Sequence, residues 1–235
     1  MSTSTRAVNI QACKHCGAGA SLDAHFCPQC DKILTLARHG DYYSFLGLPR
    51  KLTLDPHELD DRLRKMSRQF HPDYYCSATP AERLASLERS SYLNDAYRVL
   101  RNPVLRVEYL LRLEGMAPRT RQEATAQAPP GLLEEVFQFN EQIEEVRAAR
   151  AAGASADEIA RRLGEARRPI EEKRAEHDRR REVLAAEWDA KVDSGAPPAE
   201  RKATLEALRG WFLEQTYIAN LLAAVEHELG EQGPE

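Results

Sequence analysis

The sequence predicts an all-α protein, in which a helical hairpin and a C-terminal three-helix bundle follow a small module with four cysteines. Three observations support this fold class. Apolar residues recur at helical spacing in both halves of the chain after residue 56. Two stretches match the capping box that opens a helix, with Glu three residues after Ser or Thr. Two Cys-x-x-Cys pairs lie near the amino terminus, before the helical patterns begin.

Length and composition limit what the chain can do. Its 235 residues, 42% hydrophobic and 30% charged, suffice for one or two modest helical domains and a small module, but not for a large buried enzyme core. A net charge of −4 provides no global attraction to nucleic acid or anionic membranes. No apolar run approaches the roughly 20 residues that span a bilayer, and no signal peptide is visible. We therefore expect a soluble, cytoplasmic protein.

The four cysteines of the amino-terminal module are Cys13, Cys16, Cys27 and Cys30. Each Cys-x-x-Cys pair can hold one side of a tetrahedral metal, and the ten-residue linker lets the pairs converge. Two disulfides are the alternative, but a chain without an export signal keeps its thiols reduced, which favours Zn²⁺. A redox role is less favoured, because no βαβ pattern surrounds the pairs.

The predicted zinc site is structural. Four thiolates complete a closed shell with no open position for a catalytic water, although His15 and His25 lie nearby as substitute ligands. So short a segment cannot fold without help, and the metal is expected to supply much of its stability. Loss of the metal is accordingly expected to unfold this module alone.

Two amphipathic helices flank residues 69–75. The first has a basic outer face. The second begins at the capping box formed by Thr79 and Glu82 around Pro80, and it ends near residue 103, where proline disfavours helical geometry. The two apolar stripes consist of Leu59, Leu63, Met66 and Phe70, and of Leu84, Leu87, Leu93, Ala96, Tyr97 and Leu100.

His71, Pro72 and Asp73 are predicted to lie in an exposed loop at the tip of this antiparallel hairpin. An acid-base pair is disfavoured, because Pro72 holds the backbone extended and no nucleophile or orienting group lies near in sequence. A rigid polar tip suits docking to a partner instead.

The second half of the chain predicts a helical bundle. Residues 115–130 are rich in Gly, Pro, Thr and Ala, which is typical of a linker. Ser155 and Glu158 form a capping box for the second bundle helix, which Pro169 should kink or restart, and Pro197-Pro198 opens the third. The predicted core residues are Leu132, Val136, Phe139, Ile143 and Val146, then Ile159, Leu163, Ala166, Ile170, Leu184 and Trp188, and finally Leu208, Phe212, Leu222, Val225 and Leu229.

The hairpin resembles a J-domain from about residue 41 to residue 100. The shared features are the segment 42–48, a basic helix, His-Pro-Asp at the tip and a capped helix after it. The run 93–103, followed by Arg106-Val107-Glu108-Tyr109-Leu110-Leu111, is similar to the HscB family, the co-chaperones of iron-sulfur cluster assembly. General J-proteins lack this second run, and some HscB-like proteins carry a four-cysteine module.

The resemblance implies a co-chaperone rather than an enzyme, and no Gly-rich phosphate loop or nucleophile elbow argues otherwise. Its J-domain would trigger ATP hydrolysis in a DnaK/HscA-type chaperone, and its bundle would hold an IscU-type scaffold. The implied chaperone-binding residues are His71, Pro72 and Asp73, with Arg62, Lys65 and Arg68 steering toward an acidic surface. The implied scaffold-binding residues are Leu133, Phe137, Glu141 and Tyr217.

Position on the first bundle helix supports part of this scaffold site. Leu133 and Phe137 lie one residue, or about 100°, away from the predicted core line, so we expect them to be partly exposed. With Glu141 they form a row at i, i+4 and i+8, and a contiguous apolar patch often marks a partner site. A wider core face that buries both side chains is the alternative.

We therefore divide the chain into a zinc module with its linker (1–40), a J-domain (41–114), a linker (115–130) and a scaffold-binding bundle (131–235). Two other functions stay open. The module could be a zinc ribbon that contacts nucleic acid, but its only fixed charges between the first and last cysteines are Lys14 and Asp23, and phosphate contacts need several cations. A general J-protein with another client is the second alternative.

Overall fold

The computed structural model describes residues 10–36, 40–117 and 130–230. Within the last of these ranges, the side chains of residues 130–133, 135–136 and 229–230 are not described. Seven α-helices and one two-stranded sheet form most of the regular structure of the described residues. This arrangement confirms the all-α fold class, with a helical hairpin and a three-helix bundle after a four-cysteine module.

The four-cysteine module contains a small antiparallel hairpin, formed by strands β1 (Ile10–Ala12) and β2 (Gly19–Ser21). Gly17, between the strands, has a φ of 75°, a conformation that glycine adopts at little cost. The small core of the module consists of Cys13, Ala20, Cys27 and Leu34. So few buried side chains cannot hold a fold by apolar burial alone.

Four α-helices and a short 3-10 helix follow the module. They are α1 (Tyr42–Phe45), α2 (Pro56–Phe70), the 3-10 helix (Pro72–Tyr75), α3 (Pro80–Arg101) and α4 (Pro103–Leu113). The predicted capping box of α3 is confirmed. Thr79 Oγ1 accepts a 3.3 Å hydrogen bond from the Glu82 N–H, and the Glu82 carboxylate accepts one of 3.1 Å from the Thr79 N–H.

Helices α2 and α3 pack against each other, but the predicted stripe of α3 is wrong at its start. Leu84 and Leu87 are 56% and 55% exposed. Ala85, Ser86 and Arg89 occupy the inner face instead. Small and hydrogen-bonding side chains face inward here because this part of α3 meets main-chain carbonyl groups, which apolar side chains cannot satisfy.

Helices α5 (Pro130–Ala151), α6 (Ala156–Asp193) and α7 (Pro198–Gly230) form the bundle, and each of the three contacts the other two. Ser155 caps α6 by accepting a 3.3 Å hydrogen bond from the Glu158 N–H. Helix α6 continues through Pro169, so the predicted restart does not occur. Packing of this helix against both α5 and α7 outweighs the roughly 3 kcal/mol that an internal proline costs.

Most predicted core positions of the bundle are buried, with one correction on α7. Trp211, rather than Phe212, is fully buried, and Phe212 is half-buried. The Trp211 ring stacks on the His177 ring of α6, and its indole N–H donates a hydrogen bond to the His177 main-chain carbonyl. Because both its ring and its N–H have partners there, Trp211 occupies the centre of the bundle. The predicted core side chains that lie outside the described residues are those of Leu132, Val136 and Leu229.

The chain separates into two compact units, Met1–Arg106 and Val107–Glu235. The first contains the four-cysteine module together with α1 to α3, and the second contains the bundle. The finer division into four segments stays a prediction. Among the described helices, none combines the length and hydropathy that crossing a bilayer requires.

Candidate functional site

The tip between α2 and α3 is a structured turn rather than the predicted loop. The 3-10 helix begins at Pro72, a residue suited to a first helical position. His71 caps this helix, because its Nδ1 accepts a 3.3 Å hydrogen bond from the Asp73 N–H. The Tyr75 hydroxyl donates a 3.0 Å hydrogen bond to the Gln69 carbonyl. These bonds fix the tip in one local conformation.

His71 and Asp73 both present exposed side chains at this turn. Nδ1 of His71 lies 3.5 Å from Oδ2 of Asp73. Catalytic acids and bases are usually set in clefts, where burial shifts their pKa values. Two exposed polar groups on a fixed turn are suited to recognition by another protein instead.

The basic face of α2 precedes the tip. Lys65 and Arg68 are exposed, in agreement with their predicted place on the outer face of this helix. Arg62 has a structural role as well, because its guanidinium donates a 3.0 Å hydrogen bond to the Gly47 carbonyl and pairs with Glu58 at 2.6 Å. Arg62 therefore joins α2 to the end of α1, a contact that its helical spacing did not indicate.

The four cysteines converge, with all four Sγ atoms within 4.8 Å of one another. The closest contacts run between the two pairs, with 3.7 Å from Cys13 to Cys30 and 3.6 Å from Cys16 to Cys27. Sulfurs bound at about 2.3 Å around a tetrahedral zinc lie about 3.8 Å apart. A disulfide needs about 2.05 Å, and all four thiols are free. The geometry therefore fits a metal site and not two disulfides.

The environment of the cluster favours a thiolate at Cys13, whereas it raises the pKa values of the Cys16 and Cys30 thiols in the metal-free cluster. Hydrogen bonds from the backbone of Cys16 and of His15 lower the pKa of the Cys13 thiol to about 7. A lowered pKa favours the thiolate, which is the form that binds a metal. His25 faces Arg89 rather than the cluster, so it is not a substitute ligand in this structure.

Sequence reasoning missed Arg89, which joins the module to α3. Its side chain is 1% exposed and donates hydrogen bonds to the carbonyls of Leu34, Ala24 and Thr35 at 2.8, 3.2 and 3.3 Å. Burial lowers the pKa of the Arg89 guanidinium to about 10, which leaves it charged at neutral pH. No local pattern could have revealed this role, because the acceptors lie 54 to 65 residues away in sequence.

The predicted scaffold face is partly described. On α5, Phe137 is 71% exposed and Glu141, one turn later, is also exposed. Tyr217 on α7 is half-buried, and the side chain of Leu133 lies outside the described residues. A phenylalanine this exposed gains little from folding, so the apolar surface at Phe137 is available to a partner.

The hairpin and its tip define a J-domain protein, and the DnaJ domain family matches residues 41–109. The HscB homolog of Bordetella petrii, a co-chaperone protein, is 35% identical over 184 residues, which cover 78% of this chain and 95% of that protein. The HscB homolog of Vibrio vulnificus is 36% identical over 106 residues, which cover 45% of this chain and 61% of the relative. The chain belongs to the HscB co-chaperone family.

Solved structures support the fold. The crystal structure of the human co-chaperone protein HscB matches with a TM-score of 0.69 at 22% identity, covering 93% of this chain and 98% of that chain. The chaperone HscB from Vibrio cholerae matches with a TM-score of 0.60 at 26% identity, covering 81% of this chain and 99% of that chain. The protein is thus a J-domain co-chaperone with a four-cysteine cluster.

Proposed function

We propose that this protein stimulates the ATPase of a DnaK/HscA-type chaperone through its J-domain and brings to it an IscU-type iron-sulfur scaffold bound to the bundle. The observation that carries the proposal is the His71-Pro72-Asp73 segment, in which His71 and Asp73 are exposed and which lies in the 3-10 turn between α2 and α3 of an HscB-family chain. The protein itself performs no chemistry in this scheme. It presents one partner to another.

The J-domain would act by binding one conformational state of the ATPase better than the other. A ligand shifts a conformational equilibrium only by its difference in affinity for the two states. His71, Pro72 and Asp73 supply the specific contacts, while Lys65 and Arg68 attract an acidic surface from a distance. Arg62 contributes charge as well, although its contacts to Gly47 and Glu58 reduce its freedom to rearrange.

The scaffold would bind on the bundle at Leu133, Phe137, Glu141 and Tyr217. Phe137 supports this assignment most strongly, because its exposed ring is the kind of aromatic anchor that dominates many protein interfaces. Glu141, exposed one turn further along α5, would add a polar contact at the edge of the same patch.

We further assign Zn²⁺ to the four-cysteine cluster, with Cys13, Cys16, Cys27 and Cys30 as its ligands. Zinc held by four thiolates is a structural crosslink that stabilises a small fold. The free thiols of this cluster are compatible with a reducing compartment such as the cytoplasm, where we place the protein.

Binding and ATPase assays with purified partners test the proposal. An IscU-type scaffold should bind the full chain, and chain plus scaffold should stimulate a DnaK/HscA-type ATPase more than either alone. Stimulation without any scaffold binding would instead identify a general J-protein with another client. Absence of both effects would contradict the proposal outright.

A further inference from the structure

We propose that the four-cysteine module is a positioning element for the His71-Pro72-Asp73 tip, and that it acts through Phe70 and Glu82. These residues flank the tip, because Phe70 ends α2 and Glu82 lies in the first turn of α3. Each contacts residues that lie within two positions of a cysteine of the cluster. The metal-bound state of the module thereby determines how firmly the tip is held.

The contacts of Phe70 fix the amino-terminal side of the tip. Its buried ring lies 5.1 Å from the His25 ring and 6.0 Å from the Phe26 ring, measured between centroids, and these two residues directly precede Cys27. The Phe70 carbonyl accepts hydrogen bonds of 2.7 and 2.8 Å from the hydroxyls of Ser86 and Ser90 on α3. The module thus holds the side chain of this residue, and α3 holds its main chain.

The contact of Glu82 fixes the other side of the tip. Lys32, two residues after Cys30, places Nζ 3.0 Å from Oε1 of Glu82. The other oxygen of this carboxylate accepts the hydrogen bond from the Thr79 N–H that opens α3. Ion pairing with Lys32, followed by the bonds from Thr79, lowers the pKa of Glu82 to about 2. Because Lys32 is substantially exposed, this contact is weaker than the buried one at Phe70.

Arg89 on α3 connects the two sides of the tip, because it contacts both Phe70 at the end of α2 and the four-cysteine module. Its guanidinium carbon lies 5.6 Å from the centre of the Phe70 ring, within the range of a cation–π interaction. The hydrogen-bond acceptors of this guanidinium come from the module, including Nδ1 of His25 at 2.7 Å from Nη1. A buried cation without acceptors is costly, so loss of order in the module forces α3 and Phe70 to rearrange.

These contacts revise the expectation that metal loss unfolds the module alone. A metal bound by a small module contributes directly to the folding of that module. Here the folded module also packs against Phe70, the residue that precedes the tip. The inference rests on the proposed function only for its consequence, which is weaker ATPase stimulation by metal-free protein. The change at the tip itself is measurable without any partner.

Hydrogen-exchange mass spectrometry of the full chain, zinc-loaded and after removal of zinc with a chelator, tests this directly. We expect peptides covering residues 69–77 to exchange at least about tenfold faster without metal. Peptides from residues 159–170 should be unchanged, because these residues belong to a core that consists of bundle side chains only. Unchanged exchange at residues 69–77 in the metal-free protein would overturn the proposal.

A substitution that keeps the metal separates positioning from zinc binding. Arg89→Met removes the hydrogen bonds while preserving an unbranched chain, and it should accelerate exchange at residues 69–77 with one zinc still bound. Arg98→Met, which changes an exposed arginine of the same helix, is the matched control and should have no effect. Lys32→Met removes only the ion pair to Glu82 and should accelerate exchange at residues 69–77 less than Arg89→Met does. This second variant tests the proposal even if Arg89→Met fails to fold. Normal exchange in both zinc-bound variants would contradict the proposal.

The results also distinguish this inference from the proposed function. If His71→Gln abolishes ATPase stimulation but hydrogen exchange at the tip is the same with and without metal, the function stands and the positioning role fails. If the metal controls exchange at the tip but the protein stimulates no ATPase, the positioning role stands and the function fails.

Discussion

The indole N–H of Trp211 donates a 2.9 Å hydrogen bond to the main-chain carbonyl of His177, and the two rings stack with centroids 4.9 Å apart. This pair joins α7 to α6 in the interior of the bundle. Nε2 of His177 also lies 3.3 Å from a carboxylate oxygen of Glu214, which in turn pairs with Arg180. Burial lowers the pKa of His177, and the attraction of Glu214 only partly opposes this shift.

The lowered pKa predicts a pH-dependent bundle. The unfolded chain binds a proton at His177 near the ordinary value of 6.5, whereas the folded bundle resists protonation until lower pH. The resulting stabilisation is complete above about pH 6.5 and is lost progressively as the pH falls below it. We expect the free energy of unfolding to be lower at pH 5.5 than at pH 7.5. Both tryptophans, Trp188 and Trp211, lie in the bundle, so their fluorescence during urea unfolding reports this unit.

His177→Phe should retain the stacking and reduce this pH dependence. Its counterpart is His227→Gln, which changes an exposed histidine of α7 and should leave the pH dependence as it is. An equal loss of stability on acidification in wild type and His177→Phe would show that His177 is not the responsible group.

A buried carboxylate ties the end of α7 to α5. Glu228 is 2% exposed in its side chain and lies 2.7 Å from a guanidinium nitrogen of Arg147 and 3.1 Å from one of Arg150. Glu228→Ala should destabilise the bundle by about 1–2 kcal/mol, since it removes the buried carboxylate that accepts hydrogen bonds from the exposed Arg147 and the half-buried Arg150. Glu144→Ala removes an exposed partner of the same Arg147 and should cost at most about 0.5 kcal/mol. Equal effects in tryptophan-monitored urea titrations would contradict this account.

Purified protein should carry one zinc per chain. Cys27→Ser should release it, because three thiolates and a hydroxyl bind zinc far less well than four thiolates. Cys76→Ser is the control, since this exposed cysteine lies outside the cluster and its loss should leave the metal bound. Elemental analysis and native mass spectrometry measure the stoichiometry. Two disulfides and no metal would exclude the zinc site.

Local signals carried most of the fold prediction. The start of α3 depends on Thr79 and Glu82, which are three residues apart, and the cysteine spacing alone indicated the cluster. Periodicity correctly identified Phe139 and Ile143 as core. It could not choose between Trp211 and Phe212, because two adjacent large aromatic residues satisfy a helical period almost equally.

The part of the site that could not be predicted depends on distant residues. Arg89 looks like an ordinary surface arginine until the module, more than 50 residues earlier, is placed beside it. The same contact explains why Leu84 and Leu87 are exposed, since Ala85 and Arg89 face inward at that level of α3. Spacing along one helix contains no information about which element packs on it.

Phe137 and Glu141, which are exposed on α5, support the proposed scaffold site that also includes Leu133. Leu133→Ala combined with Phe137→Ala should lower scaffold affinity by at least about 2 kcal/mol, the scale of an interface hot spot. Stability should fall much less than the roughly 5 kcal/mol expected if both side chains were core. Val183→Ala, an exposed apolar residue of α6, is the control and should leave binding unchanged. Collapse of thermal stability with normal scaffold binding by the remaining folded protein would place these residues in the core.

In the proposed function, His71, Pro72 and Asp73 trigger ATP hydrolysis in a partner chaperone. The most direct measurement compares steady-state ATPase stimulation of a DnaK/HscA-type chaperone by wild type, His71→Gln and His57→Gln, each with the scaffold present. His57 is an exposed histidine at the start of α2 and serves as the matched control. We expect His71→Gln to lose stimulation while still binding the scaffold, and His57→Gln to behave as wild type. Full stimulation by His71→Gln would exclude this role of the tip.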